Sequence, residues 1–300
     1  MNIGTLILLC ALGALTLWYI TRWYLLERAR VRDKNAERSF PGLADTAIGF
    51  VTNFFDALGI GNFAPTTALF KLRRQPPDEQ IPGTLNAGHA LAVVAEALIF
   101  ITAVKVDLTT LVSMIAAAVL GAWLGVGVVA RLPRRAIQVG MGVALLVAAL
   151  LFLSRNVGWM PGGGTALALH DGRLVFAIVV NFVLGALMML GVGLYAPCLI
   201  LVSLLGMDPL AAFPIMMGAC AFLMPIGGAR FIQVNRYSLR AALGLTLGGI
   251  PGVLVAAFIV KSLPTDWLRW LVTFVVLYAA LLMLHSARTA PDPRVNPSVG

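Results

Sequence analysis

One segment of this 300-residue chain occurs twice, and it restricts the fold more than any other feature. Gly59-Ile60-Gly61-Asn62-Phe63-Ala64-Pro65 returns 132 residues later as Gly191-Val192-Gly193-Leu194-Tyr195-Ala196-Pro197. The same gapless offset pairs Phe50 with Phe182, Leu58 with Leu190, Pro77 with Pro209, Pro82 with Pro214 and Ala87 with Ala219. Gly and Pro break helices, and a broken helix frees backbone N–H and C=O groups that can hold an ion. Two such interruptions at matching places in two apolar halves are the sequence mark of a membrane carrier's binding site.

The surroundings are too apolar for water. Hydrophobic residues make up 60% of the chain and charged residues 12%, with a mean hydropathy of +0.91; a soluble domain carries about 25% charged residues. Apolar stretches near 3–21, 84–104, 108–130, 136–153, 174–205, 209–229, 241–260 and 267–285 suit the roughly 20 residues that cross a bilayer, and a less uniform one spans about 44–70. The pattern predicts an all-α polytopic membrane protein. A β-barrel would alternate polar and apolar residues over about 10-residue strands, and the chain does not.

The net charge of +9 does not indicate nucleic acid, because the basic residues sit in short clusters between apolar stretches, as the positive-inside bias requires. No Lys or Arg precedes the first apolar run, and Arg22, Arg28, Arg30, Arg32, Lys34 and Arg38 follow it. That order predicts a retained first helix with its N-terminus outside. Cys10, Cys198 and Cys220 have no CxxC spacing and lie in apolar surroundings, where a free Cys reads as a small hydrophobe.

Charge counting also bears on the repeats. If both Gly/Pro segments dip in and return, 17 of the 22 basic residues fall on the inside and 5 outside; if both cross, the split is 14 to 8. The hairpin arrangement gives each repeat three full crossings, an odd number, so the repeats are expected to be inverted. Gly121 and Gly125, followed by Leu132-Pro133, are echoed by Gly248 and Gly252, followed by Leu263-Pro264. Glycines four apart favour close helix packing. The expected divisions are an N-terminal transmembrane helix (1–21), a basic cytoplasmic linker (22–43), repeat 1 (44–154), a flexible external linker (155–173), repeat 2 (174–286) and a disordered tail (287–300).

Ionisable groups at membrane depth are costly and functional by default. Asp56, His89 and Glu96 are the three in the first repeat. Asn86, His89 and Glu96 share a face of the helix after Pro82, and Asn53, Asn62, Thr66 and Thr67 add donors around the Gly59–Gly61 bend. The second repeat replaces Asn62 by Leu194, Asn86 by Gly218, His89 by Ala221 and Asp56 by Met188, leaving Asn181, Cys198 and Arg230 as its polar candidates. The expected mechanism uses helix N-termini at Gly59–Asn62 and Gly191–Leu194 to attract an anion, with His89 and Glu96 exchanging protons in step. Against it stand structural readings: His89 bonded to a carbonyl, Glu96 as interhelical glue, Asp56 as a helix cap. A metal site at Asp56, His89 and Glu96 matches no standard spacing, and an enzyme built on Cys198 or Thr66 with His89 has no supporting motif.

These motifs resemble the sulfite exporter TauE/SafE family of membrane permeases over about residues 45–285. The resemblance rests on the duplicated Gly-x-Gly…Pro segment, the small-residue helix after it and the Gly-x-x-x-Gly helix ending at a Leu-Pro turn. It implies a bacterial inner-membrane carrier for sulfite, organosulfonates or other small anions, with binding positions at Gly59, Gly61, Pro65, Gly191, Gly193 and Pro197. Asn62 interrupts the glycine run, and Pro65 follows Gly61 by only four residues, which marks a divergent branch. The expected protein is therefore a multi-pass secondary transporter of the cytoplasmic membrane and not an enzyme, moving a small anion with proton coupling; a passive anion channel on the same fold is the rival. Its expected partners are membrane lipid and the anion, without nucleic acid, cofactor or metal, and with homo-oligomerisation left open.

Overall fold

The computed structural model describes residues 2–32, 40–59, 61–77, 80–129, 164–189 and 193–262, with isolated helical positions between 139 and 157 and between 270 and 288. The chain divides into a main unit (1–129 and 163–263) and a second unit (130–162 and 264–300). The third crossing expected in each repeat, 136–153 and 267–285, lies largely outside the described residues, as does the tail.

The main unit is built of helices α1 Ile3–Arg32, α2 Leu43–Ala57, α3 Phe63–Arg73, α4 Ile81–Ala103, α5 Leu108–Val129, α6 Asp171–Met188, α7 Tyr195–Leu204, α8 Ala212–Gln233 and α9 Leu239–Ser262. Among the described residues five helical segments are long and apolar enough to cross a membrane, so the chain is an all-α polytopic membrane protein. The cores of α4 and α8 are each 78% buried, against 11% for α1. These two helices therefore form the centre, and α1 presents Ile3, Ile7, Leu17 and Trp18 outward.

The Gly/Pro segments break where the sequence predicts. α2 has 15 residues, α3 has 11 and α7 has 10. At 1.5 Å per residue none exceeds about 23 Å, short of the roughly 30 Å hydrocarbon core. Their outer ends close into hairpins. Arg73, at the end of α3, pairs with Asp45, at the start of α2, at 2.6 Å. Arg173, at the start of α6, donates to the carbonyl of Leu205, just past α7, at 3.4 Å. The start and end of each Gly/Pro segment thus lie side by side.

Contacts sort the helix ends into two levels. The base of the first hairpin lies with the start of α4, the end of α8 and the start of α9: Ser238 N–H donates to the Thr84 hydroxyl at 2.9 Å, and Arg240 stands 3.8 Å from Asp45. The base of the second hairpin lies with the start of α5 and the lead-in to α8, where Asp107 N–H donates to Leu167 O at 2.8 Å and Asp208 N–H to Ala166 O at 2.9 Å. α4 and α8 therefore run in opposite senses. The first level carries Arg73, Arg74, Arg236 and Arg240 with Asp45, and the second carries Asp107, Asp171 and Asp208 with Lys105 and Arg173.

The two halves interlock reciprocally. α2 of the first packs on α9 of the second, and α6 of the second packs on α5 of the first. Gly248 and Gly252 of α9 face the backbones of Thr46 and Phe50 in α2, while Gly121 of α5 faces the backbone of Phe182 in α6. The glycine echo read from sequence has the same task in both halves, which is to let two helix backbones touch. A side chain at Gly248 would overlap the Thr46 carbonyl. We expect Gly248→Leu to cost about 3 kcal/mol or more of stability, read as lost monodisperse protein and a lower melting temperature in detergent. Gly13, with nothing within 4 Å of its added Cβ, should accept the same change within about 0.5 kcal/mol.

Two expectations need correction. The basic stretch 22–32 is not a linker but the last third of α1, held in register along the protein. Trp23 donates to the Tyr237 hydroxyl at 3.0 Å, Tyr237 donates to Glu27 at 2.6 Å, and Arg30 reaches Glu27 and the Ile232 carbonyl. Leu25, Leu26 and Ala29 are good helix formers, so charge alone does not end the helix. The far end of the presumed flexible linker is also tied down. Ala166 bridges Met207, and Leu169 N–H donates to the Thr110 hydroxyl at 3.1 Å.

Candidate functional site

The tips of the two hairpins meet at the centre of the main unit, against α4 and α8. Gly59 and Gly61 take φ of +91° and +84°, a left-handed backbone that only glycine adopts without strain. That turn ends α2 and reverses the chain into α3. The tips touch reciprocally: a Cβ on Gly61 would lie 3.8 Å from Tyr195 Cβ, and one on Gly193 would lie 4.0 Å from Phe63 Cβ. At the offset of 132 these are equivalent pairs. Gly191 and Ile60 lie outside the described residues.

Both inner helices start alike. Asn62 O accepts from Thr66 N–H and Leu194 O accepts from Cys198 N–H, each at 3.0 Å, so Asn62 and Leu194 are the helix caps. The N–H groups of the next two residues (63 and 64, 195 and 196) have no helical partner, and Pro65 and Pro197, at the third position, have no N–H to offer. Two helix N-termini, with their positive dipole ends, thus meet at one small cleft. Gly61, Asn62, Phe63, Gly193, Leu194 and Tyr195 line it from the tips, with Asp56, Val93, Met188, Cys220 and Met224 behind them.

The polar side chains divide into two groups. His89 is fully buried, and both of its ring nitrogens are engaged. Nδ1 lies 2.8 Å from the Asn53 amide nitrogen and 3.1 Å from its oxygen, and Nε2 lies 3.1 Å from the Thr66 hydroxyl. Asn53 belongs to α2 and Thr66 to α3, so His89 fastens both arms of the first hairpin to α4. The second group is acidic. Asn62 donates to Asp56 Oδ2 at 2.6 Å and Tyr195 donates to Glu96 Oε2 at 2.7 Å. Asp56 Oδ1 and Glu96 Oε1 have no hydrogen-bond donor, and the two carboxyls lie within hydrogen-bonding reach of each other.

The structure therefore gathers Asp56, Gly59, Gly61, Asn62, Thr66, His89, Glu96 and Gly193 around the tips, with Pro65 and Pro197 one turn into the inner helices. Thr67 is half-buried. Asn86 stands apart despite sharing a helix with His89 and Glu96: it donates to Pro82 O at 2.9 Å and faces Gly227 of α8. Asp56 sits at the end of α2, and its carboxyl reaches the backbone N–H and the amide of Asn62 at the start of α3. Asn181 bonds the Met114 carbonyl at 2.7 Å in the seam between α5 and α6, and Arg230 is exposed near the end of α8. Tyr195, which lines the cleft and bonds Glu96, is the polar residue that the sequence reading passed over. Its signal was a phenol standing where the first copy has Phe63.

The family described as Sulfite exporter TauE/SafE matches residues 2–152 and 174–299 of the chain. The two matched segments take in both hairpins and nearly the whole of both halves. No curated protein and no solved structure matches the chain. The chain belongs to the sulfite exporter TauE/SafE family, a family of membrane permeases.

Proposed function

From that membership we propose that the chain is a secondary permease of the cytoplasmic membrane, built of two inverted repeats, that carries a small anion by proton coupling. The substrate class is an oxidised sulfur species, sulfite or an organosulfonate, bound in the cleft between the hairpin tips. The observation that carries this reading is the convergence of two helix N-termini on one cleft, one from each half, since such termini bind oxyanions through backbone N–H groups. The opposite senses of α4 and α8 and the opposite levels of the hairpin bases support inversion. The Arg-rich level, with Arg73, Arg74, Arg236 and Arg240, is the cytoplasmic one by the positive-inside bias.

Coupling follows from what stands behind the donors. A unit charge about 4 Å from an anion costs about 4 kcal/mol at the effective dielectric of a protein, so an anion in the cleft opposes ionisation of Asp56, which lines it, and of Glu96 within reach of Asp56. Protons must enter with the anion. The cleft has room for about one water molecule, so loading also requires the tips to part, as alternating access demands.

The test is uptake of labelled sulfite, sulfoacetate and sulfate into proteoliposomes, with and without an imposed pH gradient. Saturable, gradient-driven uptake of at least one anion is the expected result. Flux that ignores the gradient would mean a passive channel, and absence of flux for all three would remove the substrate class.

A further inference from the structure

We infer that Asp56 and Glu96 act as one unit that carries the transported proton, with Tyr195 as the group that ties this unit to the second half. This rests on the permease reading above and names the atoms on which its coupling depends.

The geometry is a chain of hydrogen bonds with one link missing. Asn62 holds one oxygen of Asp56, Tyr195 holds one oxygen of Glu96, and each carboxyl keeps a second oxygen that nothing donates to. The two carboxyls face each other within hydrogen-bonding reach, and both residues are buried, at 1% and 0% exposure. A single proton between them supplies the absent donor and satisfies both free oxygens at once. Without it, two buried acceptors repel across the gap. The pair titrates as a unit, not as two independent acids.

Among the described residues the surroundings leave no other carrier. The remaining titratable groups near the pair are Tyr195 and Cys198 of α7, Cys220 of α8 and His89 of α4. Among the described residues no Lys or Arg contributes to the field at either carboxyl. His89 has both nitrogens committed to Asn53 and Thr66. Among the described residues α3 and α9 bring no charged group to it.

The placement of the pair supplies the coupling. Asp56 stands at the end of α2 in the first hairpin, Glu96 on central α4, and Tyr195 at the tip of the second hairpin. The closed chain Asn62–Asp56–proton–Glu96–Tyr195 therefore joins both tips to the same central helix. A proton taken from water on one face, forming an O–H bond on a carboxyl oxygen, closes the chain. Its release to water on the other face breaks that bond, and the facing carboxylates then push the first tip off α4. One proton per cycle is carried by the same movement that exposes the anion.

Infrared difference spectroscopy of the purified full-length protein tests this without relying on transport. The wild type should show a protonated carboxylic C=O band that titrates with pH. Asp56→Asn and Glu96→Gln should each abolish that titration, Tyr195→Phe should shift the band, and His89→Gln should leave it in place. In proteoliposomes, D56N and E96Q should lose gradient-driven accumulation of labelled sulfite by about tenfold or more, with the double variant no worse than either single one. A titrating band that survives both D56N and E96Q, or wild-type accumulation in both, overturns the proposal. If either variant does not fold, the Tyr195→Phe band decides: an unshifted band overturns it. Should wild type move none of the anions while its band behaves as expected, the anion reading fails and the proton unit stands.

Discussion

Replacing His89 by alanine should lower stability by about 2–4 kcal/mol, the largest loss expected from any single side chain at the site. Two polar groups lose a partner together, Asn53 and Thr66, and Asn53 also accepts from the Asn62 amide at 3.1 Å. All of them are buried, so no water replaces the imidazole, and the vacated ring volume adds a cavity cost. His89→Gln can rebuild one of the two bonds and should recover about half of the loss. The measurement is unfolding of the purified protein in mixed micelles, set beside the pH dependence of uptake. If His89 is a fastening group, stability falls and the gradient dependence of the remaining flux is unchanged. If it carried the proton, His89→Gln would keep its stability and lose gradient dependence instead.

That distinction marks where sequence reading succeeded and where it stopped. The hairpin breaks were legible because Gly59, Gly61 and Pro65 recur at a fixed offset, and left-handed turns and helix starts are local properties of the residues that make them. The helix seams were legible for a similar reason: Gly121 and Gly248 announce close backbone approach wherever they point. The partition of the polar face was not. Asn86, His89 and Glu96 share a helix face, and spacing along one helix cannot say which neighbour each side chain meets. His89 met the first hairpin, Glu96 met the second, and Asn86 met α8 at Gly227 and Gly228. Tyr195 stayed hidden because the repeat alignment treats it as an aromatic equal of Phe63, whereas its hydroxyl is what reaches Glu96. The Asp45–Arg73 pair that closes the first hairpin spans 28 residues, a distance that charge counting does not see. The helical run to Arg32 was missed because the apolar stretch ends before the helix does.

Locking the hairpin tips together should stop transport outright, a larger effect on flux than any single substitution proposed above. Phe63 Cβ and a Cβ built on Gly193 lie 4.0 Å apart, inside the roughly 3.5–4.5 Å range of disulfides. Gly193 does not take a left-handed φ, so cysteine fits there without the strain it would meet at Gly61. Phe63→Cys with Gly193→Cys, in a background where Cys10, Cys198 and Cys220 are alanine, should cross-link under mild oxidation. The bond would hold the cleft at its present size, with room for about one water. Uptake should fall to the liposome background on oxidation and return on reduction, while each single cysteine variant is unaffected by the oxidant. Gel mobility after proteolysis in the 153–173 segment would report bond formation separately from flux. Flux that persists through a complete cross-link would mean that the anion passes elsewhere. The two helix N-termini would then be a packing arrangement of the halves and not the site. Flux that stops only when both cysteines are joined requires the tips to separate in every cycle, which is what a carrier needs and an open channel does not.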